Sequence, residues 1–193
     1  AKRYPDMSFI IYHSGFVPGV AEKAYDPTNN NGIDSLVKSL QENDIPPNSN
    51  VYAELGSTWR FLMRDPNSAA HALGKLFKYV GENNVLWGTD SIWYGSPQDQ
   101  IQAFRTFQIS DEWVEQYGYP KITKDLRAKV FGFNAMKPYK VKLADLPQRI
   151  ANDAMAQERR EYRAEADPHF LTYGPKSRRQ FLNLLRASQG HIS

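Results

Sequence analysis

The chain has 193 residues, 41% hydrophobic, 13% aromatic and 23% charged, a globular composition that argues against wholesale disorder. It has no cysteine, which excludes a disulfide framework and a thiolate metal site and fits a cytoplasmic compartment. No run approaches the roughly 18 apolar residues of a membrane span. The net charge of +3 is placed unevenly: residues 1–146 carry 16 basic and 16 acidic side chains, and residues 147–193 carry 8 and 5. Aromatic and basic residues are not interleaved there as in a nucleic-acid platform, so that segment reads as solvated helix surface. No nucleic-acid or membrane partner is expected.

Residue 1 is Ala, no signal-peptide pattern follows, and "AKRYPDMSFIIYH" runs almost at once into a strand. Such an opening leads us to expect a chain trimmed or excised from something longer. Residues 8–12, Ser-Phe-Ile-Ile-Tyr, are apolar with little alternation, as in a strand buried on both faces of a parallel sheet. A loop rich in Gly, Pro and Asn follows. A helix is predicted over 34–43, capped by Asp34 or Ser35, with Leu36, Val37 and Leu40 inward.

The second strand is Val51–Leu55. Asp65-Pro66 opens a helix predicted over 67–81, with Leu73, Leu76, Phe77 and Val80 as its buried stripe. The third strand is Val85–Thr89, and Ser96-Pro97 starts a helix over 97–109 that faces inward through Ile101, Phe104 and Phe107. Strand and helix thus alternate three times, the pattern of consecutive βαβ units on a parallel sheet. A helix over 123–137 follows, begun at Thr123 by an incomplete capping box. A charged surface helix over 147–166, an irregular linker, and a short amphipathic helix over 176–187 complete the chain.

Ligand sites of parallel α/β sheets lie at the carboxyl ends of the strands. Each strand delivers a polar group there: His13 in "IIYHSG", Glu54 in "VYAELGSTW" and Asp90 in "VLWGTD". Taken singly, each has a plain structural reading. His13 can be bonded to a loop carbonyl, Glu54 can pair with Arg60 or Lys23, and Asp90 can cap a turn. Taken together, an imidazole and two carboxylates at one sheet edge need a ligand, metal or partner to offset their burial. Gly88 also allows close backbone approach just before Asp90. His71 reads as a structural or surface residue, and His169 and His191 belong to tail segments. No phosphate-binding glycine loop and no Gly-x-Ser-x-Gly elbow is present.

"FIIYHSGF", "NVYAELGSTW", "VLWGTDSIWYGSPQ" and "KVFGFNAMKPY" resemble, in order and spacing, the amidohydrolase-related family of metal-dependent TIM-barrel hydrolases and non-oxidative decarboxylases. The resemblance covers about residues 5–141 and implies the C-terminal part of a (β/α)8 barrel, strands six to eight, with residues 142–193 as an appended helical extension. It implies Asp90 as a ligand of a catalytic divalent metal, Zn2+ or else Mn2+, that activates water. It implies His13 beside the metal as a further ligand or proton shuttle. Glu54 would touch substrate or support the site, and Trp59, Trp93 and Tyr94 would wall a pocket for a small-molecule substrate. The family's His-x-His pair is absent, and a catalytic zinc site wants about three protein ligands. The remaining ligands would come from the N-terminal part of the barrel or from a second subunit, and the chain by itself is expected to be inactive. The alternative is a non-catalytic half-barrel that assembles through its C-terminal helices, which sedimentation would distinguish.

Overall fold

A computed structural model describes residues 1–151, 153–165 and 175–187. His169, His191 and most of the expected linker lie outside the described residues. The fold is mixed α/β around a three-stranded parallel sheet. Its strands are β1 (Phe9–Ile11), β2 (Val51–Glu54) and β3 (Val85–Leu86), with β2 in the centre. Phe9 pairs with Val51, Ile11 with Ala53, and Ala53 with Val85. Val51, Ala53 and Val85 therefore share one face of the pleat and enter the helix-packed core. Tyr52 and Leu86 are buried on the opposite face, as expected of a sheet covered on both sides. Ile10 on that face is 36% exposed, and β1 has no strand partner on its outer side among the described residues.

The helices pack where their apolar stripes dictate. α1 (Gly32–Glu42) buries Ile33, Val37 and Leu40. It starts two residues before the predicted position, because Asn31 is the N-cap; Asp34 is an ion-pair partner instead. A helix not foreseen from sequence, α2 (Gly56–Leu62), leaves the end of β2 directly. α3 (Pro66–Lys75) is capped by Asp65, whose carboxylate accepts from the Asn67 and Ser68 N–H groups at 3.1 and 3.2 Å. It continues as a π-helical run, Leu76–Gly81, and its predicted stripe of Leu73, Leu76, Phe77 and Val80 is at most 2% exposed.

β3 is shorter than expected. The Trp87 N–H donates to the Val130 carbonyl at 3.1 Å, outside the sheet. A single turn, α4 (Ser91–Tyr94), precedes α5 (Gln98–Thr106), which buries Phe104. After α6 (Asp111–Tyr117), Thr123 caps α7 (Lys124–Ala128) by accepting from the Leu126 N–H at 3.1 Å. A π-helical run over Lys129–Phe133 and α8 (Asn134–Met136) complete the helix predicted over 123–137.

The charged helix predicted over 147–166 is two helices, α9 (Leu146–Ala151) and α10 (Ala154–Ala164), with Asp153 capping the second. α10 buries no side chain, in line with its polar composition. α11 (Arg178–Ala187) buries Phe181 and Leu185 and packs against α5. No helix among the described residues is long and apolar enough to cross a membrane.

Candidate active site

The carboxyl ends of the three strands converge. His13 lies in the turn Tyr12–Gly15 that ends β1, and Asp90 follows β3 as the residue before α4. His13 Nε2 and Asp90 Oδ2 are 2.7 Å apart, although the residues are 77 positions apart and their strands are not neighbours. An ionised carboxylate only accepts, so the imidazole donates from Nε2 and keeps its lone pair on Nδ1 while neutral.

The Ser57 N–H donates to the same Oδ2 at 3.0 Å and the Ser57 hydroxyl donates to it at 2.7 Å. All three bonds fall on Oδ2; Oδ1 takes none of them. Glu54 sits at the end of β2, half-buried. Its Oε1 accepts from the Gly56 N–H at 2.6 Å and its Oε2 from the His13 N–H at 3.3 Å. Thr58 donates its hydroxyl to the His13 carbonyl, and Ser14 to the Glu54 carbonyl, both at 2.7 Å.

The backbone is bent to make this possible. His13, Ser14 and Asp90 have φ of 54°, 55° and 50°. This left-handed region is unfavourable for side chains with a Cβ, and it is found where surrounding structure over-determines it, often at functional sites. Glycine is required beside them. A Cβ on Gly88 would lie 1.7 Å from Glu54 Oε1, and one on Gly56 would lie 2.8 Å from Glu54 Oε2 and 2.9 Å from the His13 ring.

Two carboxylates a strand apart are pushed in opposite directions. Burial raises the Glu54 pKa, and the negative charge of Asp90 adds to that, against the lowering effect of the Gly56 and His13 N–H groups. Burial also opposes ionisation of Asp90, but the bonds from Ser57 and His13 and the imidazole charge outweigh it and hold the carboxyl below the ordinary aspartate range. The two carboxyl groups thus stand in different environments, Glu54 shifted upward and Asp90 downward.

The aromatic residues divide. Tyr94 reaches the site: its hydroxyl is 2.8 Å from the Ser57 hydroxyl, and its ring lies under the Arg60 guanidinium. Trp93 is 75% exposed on α4. Trp59 is no pocket wall. It is fully buried, donates its indole N–H to the Gln100 carbonyl at 2.8 Å, and packs edge-on against Phe104 and Phe107. Tyr12, which sequence reasoning passed over, stacks on His13 with ring centroids 3.8 Å apart. Ser57 was also missed; a hydroxyl directly after a strand-end Glu-Leu-Gly was its only signal. Glu54 forms no ion pair with Arg60 or Lys23, since backbone N–H groups serve it instead.

Among the described residues no group of three or more His, Asp or Glu side chains is placed to hold a metal ion. The pair of His13 and Asp90 does not fit as a chelate. Two ligands of one tetrahedral zinc ion, each about 2.0–2.2 Å from it, stand farther apart than this hydrogen-bonded contact. Asp90 Oδ1 and His13 Nδ1 take no part in the bonds among His13, Ser57 and Asp90 Oδ2. No protein-family model, curated protein or solved structure matches the chain. The class defined by fold and site is therefore an α/β protein with a His–Asp–Glu cluster at the carboxyl edge of its parallel sheet.

Proposed function

We propose that this cluster is one wall of a hydrolytic or decarboxylating active site of the amidohydrolase type, on a partial (β/α) barrel. The observation that carries the reading is the 2.7 Å contact between His13 and Asp90 at the ends of two non-adjacent strands. In it, Asp90 stays ionised and fixes the imidazole so that Nδ1 is the free base. Tyr12 lies against one ring face and limits rotation. Glu54 accepts from the Gly56 and His13 N–H groups and so holds the turn that carries the imidazole.

The rest of the site comes from the N-terminal part of the barrel or from a second subunit. We place its docking along the open side of β1, beside a cavity of about 490 Å3 lined by Phe9, Ile11, Leu36 and Leu40. A divalent ion, Zn2+ or Mn2+, bound chiefly by that portion and by Asp90 Oδ1, would supply Lewis acidity; the proton step assigned to His13 belongs to this chain.

The test uses the completed protein, supplied with Zn2+ or Mn2+, on nitrophenyl esters and on carboxylated aromatic acids followed by CO2 release. Asp90→Asn is expected to lower turnover by about 100-fold or more with unchanged circular dichroism. Equal turnover in the variant, or none in the parent with either metal, overturns the reading.

A further inference from the structure

The Ser57 hydroxyl has a single proton. It lies 2.7 Å from Asp90 Oδ2 and 2.8 Å from the Tyr94 hydroxyl. A carboxylate oxygen accepts, so the Ser57 proton is committed to Asp90 Oδ2. The second contact then runs in one sense: Tyr94 donates to Ser57. The result is a directed chain, from Tyr94 to Ser57 to Asp90 Oδ2, which meets the His13 bond at the same oxygen.

We infer that Ser57 and Tyr94 are positioning residues, a hydroxyl relay that holds Asp90 Oδ2 against His13 and makes that contact depend on where α4 sits. The inference rests on the reading of His13 and Asp90 as the working pair.

The surroundings give the relay its purpose. Asp90 is the residue that leads into α4, its φ is 50°, and α4 buries no side chain. Ile92 and Trp93 on that turn are 84% and 75% exposed, so the turn has little packing of its own. Its side-chain attachment to the body is Tyr94. The hydroxyl bonds Ser57, the ring sits under Arg60 at 5.5 Å, and the ring edge meets Phe61 at 6.1 Å. Ser57, Arg60 and Phe61 recur along α2 at helical spacing, which places the tether points on one face. A left-handed aspartate on a weakly packed turn needs such a tether. The turn is joined to Asp90 directly, since the Trp93 N–H donates to the Asp90 carbonyl at 2.9 Å, and Tyr94 fixes the turn to the body.

Hydrogen bonding, not turnover, tests this. An imidazole N–H bonded to a carboxylate and sheltered from exchange gives a resolved downfield proton resonance, assigned to His13 by its loss in His13→Gln. The parent is expected to show it. Ser57→Ala and Tyr94→Phe are each expected to broaden it or remove it, and Ser57→Thr, which keeps a hydroxyl, to retain it. Tyr94→Phe in the Ser57→Ala background is expected to add no further change. Tyr94→Phe preserves the ring contacts with Arg60 and Phe61, so it carries the test alone if Ser57→Ala does not fold. An unchanged resonance in folded Tyr94→Phe overturns the relay, as does a parent without the resonance. Turnover that survives Asp90→Asn would instead leave the relay standing around a carboxylate with no catalytic work.

Discussion

Two polar clusters in this molecule use the same residue types to opposite ends. In the first, Lys75 donates to Glu22 Oε2 and Asp34 Oδ1, both at 2.5 Å, and the three side chains are 0%, 4% and 4% exposed. Glu22 Oε1 accepts from the Ile33 N–H at 3.1 Å and Asp34 Oδ2 from Asn29 at 2.9 Å. Every carboxylate oxygen has a partner and water is excluded. In the second, His13 and Asp90 side chains remain 30% and 15% exposed, three residues are held at left-handed φ, and burial pushes the Glu54 carboxyl up while hydrogen bonds hold the Asp90 carboxyl down. The difference is one of residual capacity. The saturated cluster pins the long loop after β1 onto α1 and α3 and has nothing left to bind with. The open cluster stores backbone strain, of order 1–3 kcal/mol per residue, and leaves Asp90 Oδ1 and His13 Nδ1 out of the bonds that join His13, Ser57 and Asp90.

Removing the cation from the closed cluster breaks the comparison most severely. Lys75→Met leaves two buried carboxylates without a counter-charge, which costs about 3–5 kcal/mol when one partner of a buried pair is lost. Urea denaturation at neutral pH is expected to show a loss of that size. A loss below about 1 kcal/mol, the scale of an exposed pair, would mean that the triad is not what secures the loop.

A smaller loss is expected from Gly88→Ala on the open side. The new methyl would collide with Glu54 Oε1 and approach the Gly56 nitrogen to 2.9 Å. The carboxylate has to swing off the Gly56 N–H, and overpacking of this kind costs about 1–3 kcal/mol. Denaturation reads the cost, and a crystal structure of the variant reads the displacement. A neutral effect with Glu54 in place would show that the close approach of β2 and β3 is not needed.

The contrast also explains what could be read from the sequence. His13, Glu54 and Asp90 were legible because a polar residue that ends an apolar run is costly without a purpose. The buried stripe Leu73, Leu76, Phe77 and Val80 was legible from helical spacing. The triad was invisible: Lys75 lies 53 and 41 positions from its partners, and each residue looks like ordinary surface charge. Trp59 was assigned to a pocket because it follows a strand end. The unforeseen α2 turns it instead toward Phe104 and Phe107. The left-handed φ of His13, Ser14 and Asp90 has no sequence marker, since none is glycine. These are consequences of tertiary packing, which local periodicity does not encode.

His71 sharpens the comparison with the smallest effect, because it is buried yet neither charge-paired nor open. Its ring stacks on Trp113 with centroids 4.2 Å apart, meets the edge of Tyr117, and places Nδ1 3.1 Å from the Tyr119 hydroxyl. Burial, and then the nearby Lys75 charge, push its pKa below the usual histidine value against the opposing pull of Asp34. The unfolded chain therefore takes up a proton before the folded one does. The stabilising contribution is complete above about pH 6.5 and is lost as pH falls toward the depressed folded value. Between about pH 7.5 and about pH 5, the range in which a histidine changes charge, the parent is expected to lose more stability than His71→Gln by urea denaturation. The other ionisable groups are common to both proteins, so the difference isolates this ring. Equal losses in the two proteins would mean that the aromatic enclosure tolerates an imidazolium, and that in this fold only the saturated triad is closed to charge imbalance.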